Sequence, residues 1–407
     1  MKIIVYEHVS GGGYAEQPIP TSVLAEGFGM LREIVADYTA AGHEVTVLLD
    51  SRIAKLHPPL EAFCILSIFF SKESERFLRN VASINDATYI IAPETGHTLQ
   101  SLVEVTEQTG KISLNCESEA IKTVADKAAL YDDLQKKGFR TPKTLVLNSS
   151  DSLIQVTQAI KRELSYPVIF KPVDGVGCGG LSIVKEEAHV KKALEKIKAE
   201  SRTTHFVVQQ FIEGESASVS LLCNNKKAVA LSFNMQSITL AEPNETSSYD
   251  GGCVPFNHPQ KQEALSLAEK VVESFSGLRG YVGVDLVLAK NGSHIVDVNP
   301  RLTTSYIGLS KVADFNVAEA LINSVIKGQL PSKHENRGFA CFSKVETPTP
   351  STITFQKAIQ SSNIISPPFQ LGEKTKSCSL VIGEGESSDK AMHDLEEAKK
   401  NLLNNIT

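Results

Sequence analysis

GVDLVLAKNGSHIVDVNPR, residues 283–301, is the stretch around which the rest of the chain is read. Two β-prone runs, Val284–Ala289 and His294–Asn299, flank Lys290-Asn291-Gly292-Ser293, a pattern that predicts a tight antiparallel hairpin. Asp297 and Asn299 are two apart and share one strand face, while Asp285 lies on the partner run. Register decides whether they meet. A two-residue Asn-Gly loop would pair Lys290 with Ser293 and turn Asp285 to the wrong face. A three-residue loop, with Gly292 left-handed in a G1 bulge, pairs Ala289 with Ser293 and sets Asp285 opposite Asp297. The bulged form is expected, because only it gathers the carboxylates. Three oxygen donors on one face, with Arg301 just beyond, suit a hard divalent cation holding polyphosphate, since magnesium takes one or two carboxylates and fills its octahedron with phosphate oxygens. The plainer alternative is a solvated hairpin with an acidic face.

The whole chain sets the bounds. Its 407 residues predict two or three domains. With 42% hydrophobic and 22% charged residues and a net charge of −6, it has no basic surface to suit a nucleic acid. Seven cysteines without a CxxC pair fit reduced thiols better than a disulfide framework or a zinc site. The strongest apolar run, Phe63–Phe70, is far short of a membrane span, and the chain enters a strand with no signal peptide. A cytoplasmic location with no membrane partner is expected.

Lys2–Val9 reads as a buried strand, followed by Ser10-Gly11-Gly12-Gly13, a helix from Val23 to Ala41 and a strand His43–Leu49. This β–loop–α–β opening predicts a doubly wound sheet that binds ligands at the carboxyl ends of its strands. The glycine run is not the dinucleotide fingerprint, because its spacing differs and the helix starts late. Ala87–Ala92 is a further strand ending in Pro93-Glu94-Thr95, where Glu94 is either a surface acid or a contact for an amine substrate. A strand Ile112–Leu114 precedes one helical stretch, Glu117–Lys137, which contains Asp126-Lys127 and closes at Gly138.

From Thr144 the pattern becomes α+β: strands Thr144–Leu147, Val168–Lys171, Ser182–Val184 and Phe206–Phe211, with helices Ser152–Glu163 and Glu186–Lys198. The loop Asp174-Gly175-Val176-Gly177-Cys178-Gly179-Gly180 joins two strands, which speaks against a Walker loop or a Rossmann turn, since both feed helix N-termini. Such a link can fold down as a lid whose bare amides approach phosphate oxygens, with Lys171 just before it placed to neutralise them. Cys178 has no identifiable base nearby and reads as a small filler rather than a nucleophile. Gln209-Gln210-Phe211-Ile212-Glu213-Gly214 reads as a hinge able to meet an adenine edge. Val219–Leu222 and Ala228–Phe233 predict a hairpin, and a loop holding Tyr249-Asp250-Gly251-Gly252 and His258 reads as an active-site cover. Helices are expected at Gln260–Phe275 and Asn316–Lys327. The remainder, 331–407, predicts a small β-rich appendage with a strand Ser377–Ile382 and a closing helix Ser388–Leu403.

Taken in order, a helical Asp-Lys, a lysine before a glycine-rich strand connection, a hinge, and Asp followed by Asp-x-Asn-x-Arg on a hairpin resemble the ATP-grasp superfamily over roughly residues 1–330. The resemblance implies an α/β protein with a doubly wound pre-ATP-grasp domain, 1–115, and an α+β ATP-grasp domain, 116–330. The latter divides into a lid, 143–212, and a metal-bearing part, 213–330, with 331–407 following as a small C-terminal domain. It implies ATP and Mg2+, or Mn2+ in its place, as cofactors. Lys127, Lys171, Gly175, Gly177, Gly179, Gly180, Gln209, Gln210, Phe211, Ile212 and Glu215 would hold ATP. Asp285, Asp297 and Asn299 would hold the metal, Arg301 and Lys171 would be catalytic, and Glu94, Tyr249 and Gly251 would touch substrate. Three positions depart from the pattern. Asp297 stands where the superfamily usually has Glu, Ser216 where the ribose-binding acid is expected, which leaves neighbouring Glu215 as the candidate, and Gly283 where D-alanine ligases carry Arg.

Within the superfamily, YEHVSGGG, APE at 92–94, the Tyr-Asp-Gly-Gly stretch and DVNPR resemble the tyramine–glutamate ligases of methanofuran biosynthesis. The implied reaction joins a small carboxylate to an amine through an acyl phosphate, with a homodimer as the expected assembly. Two alternatives remain: another ATP-grasp amino-acid or peptide ligase, or a regulatory protein that binds nucleotide without turnover.

Overall fold

A computed structural model describes residues 1–175, 177–201, 203–332, 334–371 and 376–406. Five parallel strands open the chain: β1 (Lys2–Glu7), β2 (Glu44–Asp50), β3 (Cys64–Ile68), β4 (Ala87–Ile91) and β5 (Ile112–Ser113). The helices between them are α1 (Thr21–Ala40), α2 (Ser51–Ala54), α3 (Ser71–Ser83) and α4 (Thr98–Glu107). Ile3, Ile4, Val5 and Tyr6 of β1 are all buried, as expected of a strand covered on both faces. The strand order is β3-β2-β1-β4-β5, so the winding reverses between β1 and β4. Their carboxyl ends, at Glu7 and Ile91, open a crevice of the kind in which such sheets bind ligands.

Two helices follow where the sequence predicts one, α5 (Ser118–Ala125) and α6 (Lys127–Lys136). Asp126 is extended and caps α6, its carboxylate accepting from the amides of Ala128 and Ala129. A four-stranded antiparallel sheet comes next, ordered β6-β9-β7-β8. It contains β6 (Thr144–Asn148), β7 (Val168–Pro172), β8 (Ser182–Val184) and β9 (His205–Gln210).

The largest sheet begins with β10 (Glu215–Asn224), β11 (Ala228–Thr239), β12 (Ser248–Val254), β13 (Arg279–Ala289) and β14 (Gly292–Asn299). The residues after 330 add β15 (Phe339–Pro348), β16 (Ile364–Ser366) and β17 (Lys376–Gly385), giving the order β14-β13-β10-β11-β12-β15-β17-β16. The last segment is β-rich as expected, but it extends this sheet instead of building one of its own. It also packs on α1: Phe28 meets Phe369 edge-on at 4.9 Å, and Leu380 and Ile382 share a core with Val5, Leu31 and Tyr306.

Two expectations are corrected. Tyr249-Asp250-Gly251-Gly252 lies in β12 and not in a loop, because it pairs with β11 on one side and Gly251-Gly252 pairs with β15 on the other. Cys253 and Cys341 are not free thiols: they face each other directly on β12 and β15 and form a disulfide. No helix among the described residues is long and apolar enough to cross a membrane.

Candidate active site

The metal-type residues meet as the sequence predicts, by a different route. The hairpin turn is tighter than expected: Ala289 pairs with Gly292 across Lys290-Asn291, with Gly292 at φ +114. That register continues to Leu286 opposite Ile295, and then shifts by one, so that Asp285 faces Asp297 and Gly283 faces Asn299. The extra residue is Val296 in β14, not Gly292 in the turn. A bulge inside a strand re-aims the side chains beyond it, and here it moves Asp297 onto the face of Asp285. Val282, Val284, Leu286 and Leu288 bury on the opposite face of β13.

Asp285 accepts from Asn299 Nδ2 at 3.0 Å and, across β10, from Gln236 Nε2 at 2.9 Å. Burial, and then the charge of Asp297, push its carboxyl up to about 6, against the pull of those amides and of Lys127. Lys127 is buried, not solvated, and its Nζ lies 2.5 Å from Asp297 Oδ2. Burial works to lower its pKa, but Asp297, with Glu94 and Asp285 adding to it, outweighs that, and the net shift is upward. Two opposed carboxylates and an amide oxygen leave most of an octahedral shell to other oxygens. That donor set fits magnesium brought in with a polyphosphate.

Lys171, next to last in β7, lies beside this cluster, its Nζ donating to the Tyr131 hydroxyl at 2.5 Å. Burial pulls the ammonium down to about 7, with Asp297 opposing and Lys127 adding to the fall. Tyr131 in turn donates to the carbonyl of Val296, the bulged residue. Sequence reasoning missed Tyr131, although it lies four residues after Lys127 and hence on the same face of α6. It missed Gln236 too, for which no local signal exists.

Lys127, Lys171, Gln236, Asp285, Asp297 and Asn299 line one cavity of about 430 Å3, shared by all three sheets, with Tyr131 behind its wall. One wall is the predicted hinge, Gln209, Gln210, Phe211 and Ile212, with Lys127 and Lys171 beside it. Gln209 is fixed by its amide donating to Thr144 Oγ1 at 2.7 Å. Gly175, Gly177 and Gly179 form another part of the wall, while Gly180 lies outside the lining, packed where a Cβ would stand 2.7 Å from Pro172. Val176 of that loop lies outside the described residues. Burial pushes the Cys178 thiol up to about 11, so it stays protonated at neutral pH and is no nucleophile. Glu215, the candidate for the ribose contact, lies outside the cavity lining. It is exposed and faces His258 at 3.8 Å, and Ser216 lines the cavity in its place.

Arg301 also lines the cavity and is gripped by Glu94, Nε to Oε1 at 2.9 Å and Nη2 to Oε2 at 3.1 Å. Glu94 is therefore neither a surface acid nor part of the cavity wall; it orients the arginine by a bidentate pair. Gly283 leaves room for Thr303, whose Cγ2 would stand 2.4 Å from an added Cβ. Tyr249 lines the cavity, whereas Gly251 serves packing, since a Cβ there would meet the Phe342 carbonyl oxygen at 2.0 Å. Glu7, unremarked in the sequence, also lines the cavity, buried and accepting from the amides of Val9 and Ser10.

Residues 124–305 match the model of the ATP-grasp domain, and residues 43–121 that of the pre-ATP-grasp 3 domain. The protein named tyramine–L-glutamate ligase in Methanocaldococcus fervens is 29% identical over 83% of this chain and 98% of its own. Its namesake in Methanocaldococcus jannaschii is 26% identical over 83% of this chain and 93% of its own. A crystal structure of a protein described as an ATP-grasp superfamily member from Archaeoglobus fulgidus superposes with a TM-score of 0.63, at 23% identity, covering 94% of this chain and 99% of that one. With both domains matched in order and the hinge, glycine loop, lysines and acidic hairpin around one cavity, the chain belongs to the ATP-grasp superfamily.

Proposed function

We propose that this protein is an ATP-dependent carboxylate–amine ligase, with the γ-carboxylate of glutamate and tyramine as its substrate pair. The observation that carries the reading is the convergence on one cavity of a hinge, two buried lysines, an opposed Asp285–Asp297 pair and a carboxylate-fixed Arg301. The name shared by the two curated relatives supports a ligase that forms carbon–nitrogen bonds, and supplies the substrate pair.

The hinge backbone and Gln209 hold the adenine, leaving the triphosphate to run along Lys127 and Lys171 under Gly175, Gly177 and Gly179. Asp285, Asp297 and Asn299 would hold magnesium, which would offset the negative charge of the phosphates. A carboxylate oxygen of the first substrate attacks the γ-phosphorus and the bond to the ADP oxygen breaks. The two lysines offset charge spreading over the transferred group. Arg301, its plane set by Glu94, holds the carbonyl end of the resulting acyl phosphate. The neutral amine of the second substrate adds to that carbonyl carbon, the carbon–oxygen bond to phosphate breaks, and the nitrogen loses a proton to give the amide. No side-chain nucleophile is needed, in agreement with a protonated Cys178.

Mass spectrometry of products formed from ATP, Mg2+, glutamate and a panel of amines including tyramine tests the reading. The expected result is a γ-glutamyl amide formed with equimolar ADP. ADP release indifferent to the carboxylate or the amine, or none with any pair, would overturn it.

A further inference from the structure

The cavity wall holds a second ion pair that the ligase chemistry above does not use. Lys344 Nζ lies 2.7 Å from Glu26 Oε1 and 2.9 Å from Ser22 Oγ, and Thr304 Oγ1 donates to Glu26 Oε2 at 3.1 Å. Glu26 and Ser22 come from α1 and Lys344 from β15, so the pair joins the first domain to the last segment, outside the residues matched by either family model. All four side chains line the cavity, as does Tyr249, whose ring centre is 6.0 Å from Lys344 Nζ.

The pair is only partly shielded from water, with side chains 17% exposed for Glu26 and 13% for Lys344, and stability alone gives little reason for it. Apolar replacements of a buried pair are often neutral or better, because desolvation cancels most of the attraction. Its place in the wall offers a reason. Both pairs here, Arg301–Glu94 and Lys344–Glu26, are already neutral, and burial favours the uncharged form of the Glu7 carboxyl that shares the wall. A ligand head with one charge would leave one partner unmatched, whereas a head with both charges can lay its carboxylate on Lys344 and Ser22 and its ammonium on Glu26.

We propose that Glu26 and Lys344 read the zwitterionic head of an α-amino acid whose side-chain carboxylate extends toward Arg301 to be activated. This rests on the ligase reading for its destination but not for the binding itself. It assigns the acyl donor to the part of the cavity between Arg301 and the Glu26–Lys344 pair and gives the last segment a part in choosing it. Glutamate has such a head, glutarate lacks the ammonium, and 4-aminobutyrate lacks the α-carboxylate.

The test is calorimetric titration of the full chain, with Mg-ADP present, by these three compounds. The wild-type protein is expected to prefer glutamate over each analogue by about tenfold or more, the scale of one charge-assisted contact. Glu26→Gln should lose the preference over glutarate and keep that over 4-aminobutyrate; Lys344→Met should do the reverse. The charge-swapped double variant E26K/K344E guards against a folding effect: it should regain the melting temperature lost by either single variant without regaining glutamate affinity. Equal losses for all three compounds in both single variants, recovery of affinity in the swapped variant, or no glutamate binding to the wild type would each overturn the proposal. Glutamate bound with the expected selectivity but never converted would leave the head-group site standing and sink the ligase reading instead.

Discussion

Tyr131 donates its hydroxyl to the carbonyl of Val296, the one residue by which β14 outruns β13, and accepts from the ammonium of Lys171. One phenol thus ties the bulge that aims Asp297 to the lysine beside it. Tyr131→Phe removes the donor from a buried carbonyl and the acceptor from a buried ammonium. The expected cost is about 1–3 kcal/mol of folding free energy, read in urea, together with weaker Mg-ATP binding. Unchanged nucleotide affinity would separate the bulge from the site.

Glu94 should matter chiefly through Arg301, which it holds by two hydrogen bonds. Glu94→Gln keeps one acceptor and loses the bidentate charge pair, so kcat is expected to fall by about tenfold or more while the KM for ATP stays within about twofold. Steady-state kinetics with each substrate varied reads the split. A matching rise in the KM for ATP would place Glu94 in nucleotide binding.

Lys171 should make nucleotide binding take up protons. Its ammonium, depressed to about 7 mainly by burial, is largely neutral above that pH in the free protein. Triphosphate beside it favours the charged form. Calorimetry at pH 8 in buffers of different ionisation enthalpy is expected to show net uptake, fading toward pH 6, where the lysine is already charged. The sign for folding follows. Between about 7 and the ordinary lysine range the unfolded chain binds more protons, so this group's contribution to stability rises with pH across that window. Lys171→Met should flatten both dependences.

The Cys253–Cys341 bridge closes a separation of 88 residues. In the chain-entropy account, opening such a loop costs about 4–5 kcal/mol. Thiol labelling with and without reductant counts the bridge, and the expected drop in stability on reduction should be absent from the double variant C253S/C341S. Equal labelling in both conditions would show the two thiols to be free.

What was legible in the chain was local. The strand-face rule for Asp297 and Asn299, and the demand that Asp285 join them, hold in the structure, yet the bulge sits at Val296 because side-chain alternation reports that a residue is extra without saying where. Asp126-Lys127 was visible as a pair, but not as a helix cap and a buried lysine, since a polar dipeptide inside a helical stretch looks the same either way. Glu94 meets Arg301 across 207 positions, Cys253 meets Cys341 across 88, and Glu26 meets Lys344 across 318. No periodicity carries such distances, which strand order and domain docking alone determine.

β15 lies between β12 and β17, so the last segment covers the β12 side of the largest sheet and carries its border out to β16. A protein cut after Leu330 would leave β12 as a bare border whose Gly251-Gly252 backbone has no side chains to fend off another strand. Such a fragment, although it retains every residue matched by the family models, is poised to pair with its own copies and come out of solution.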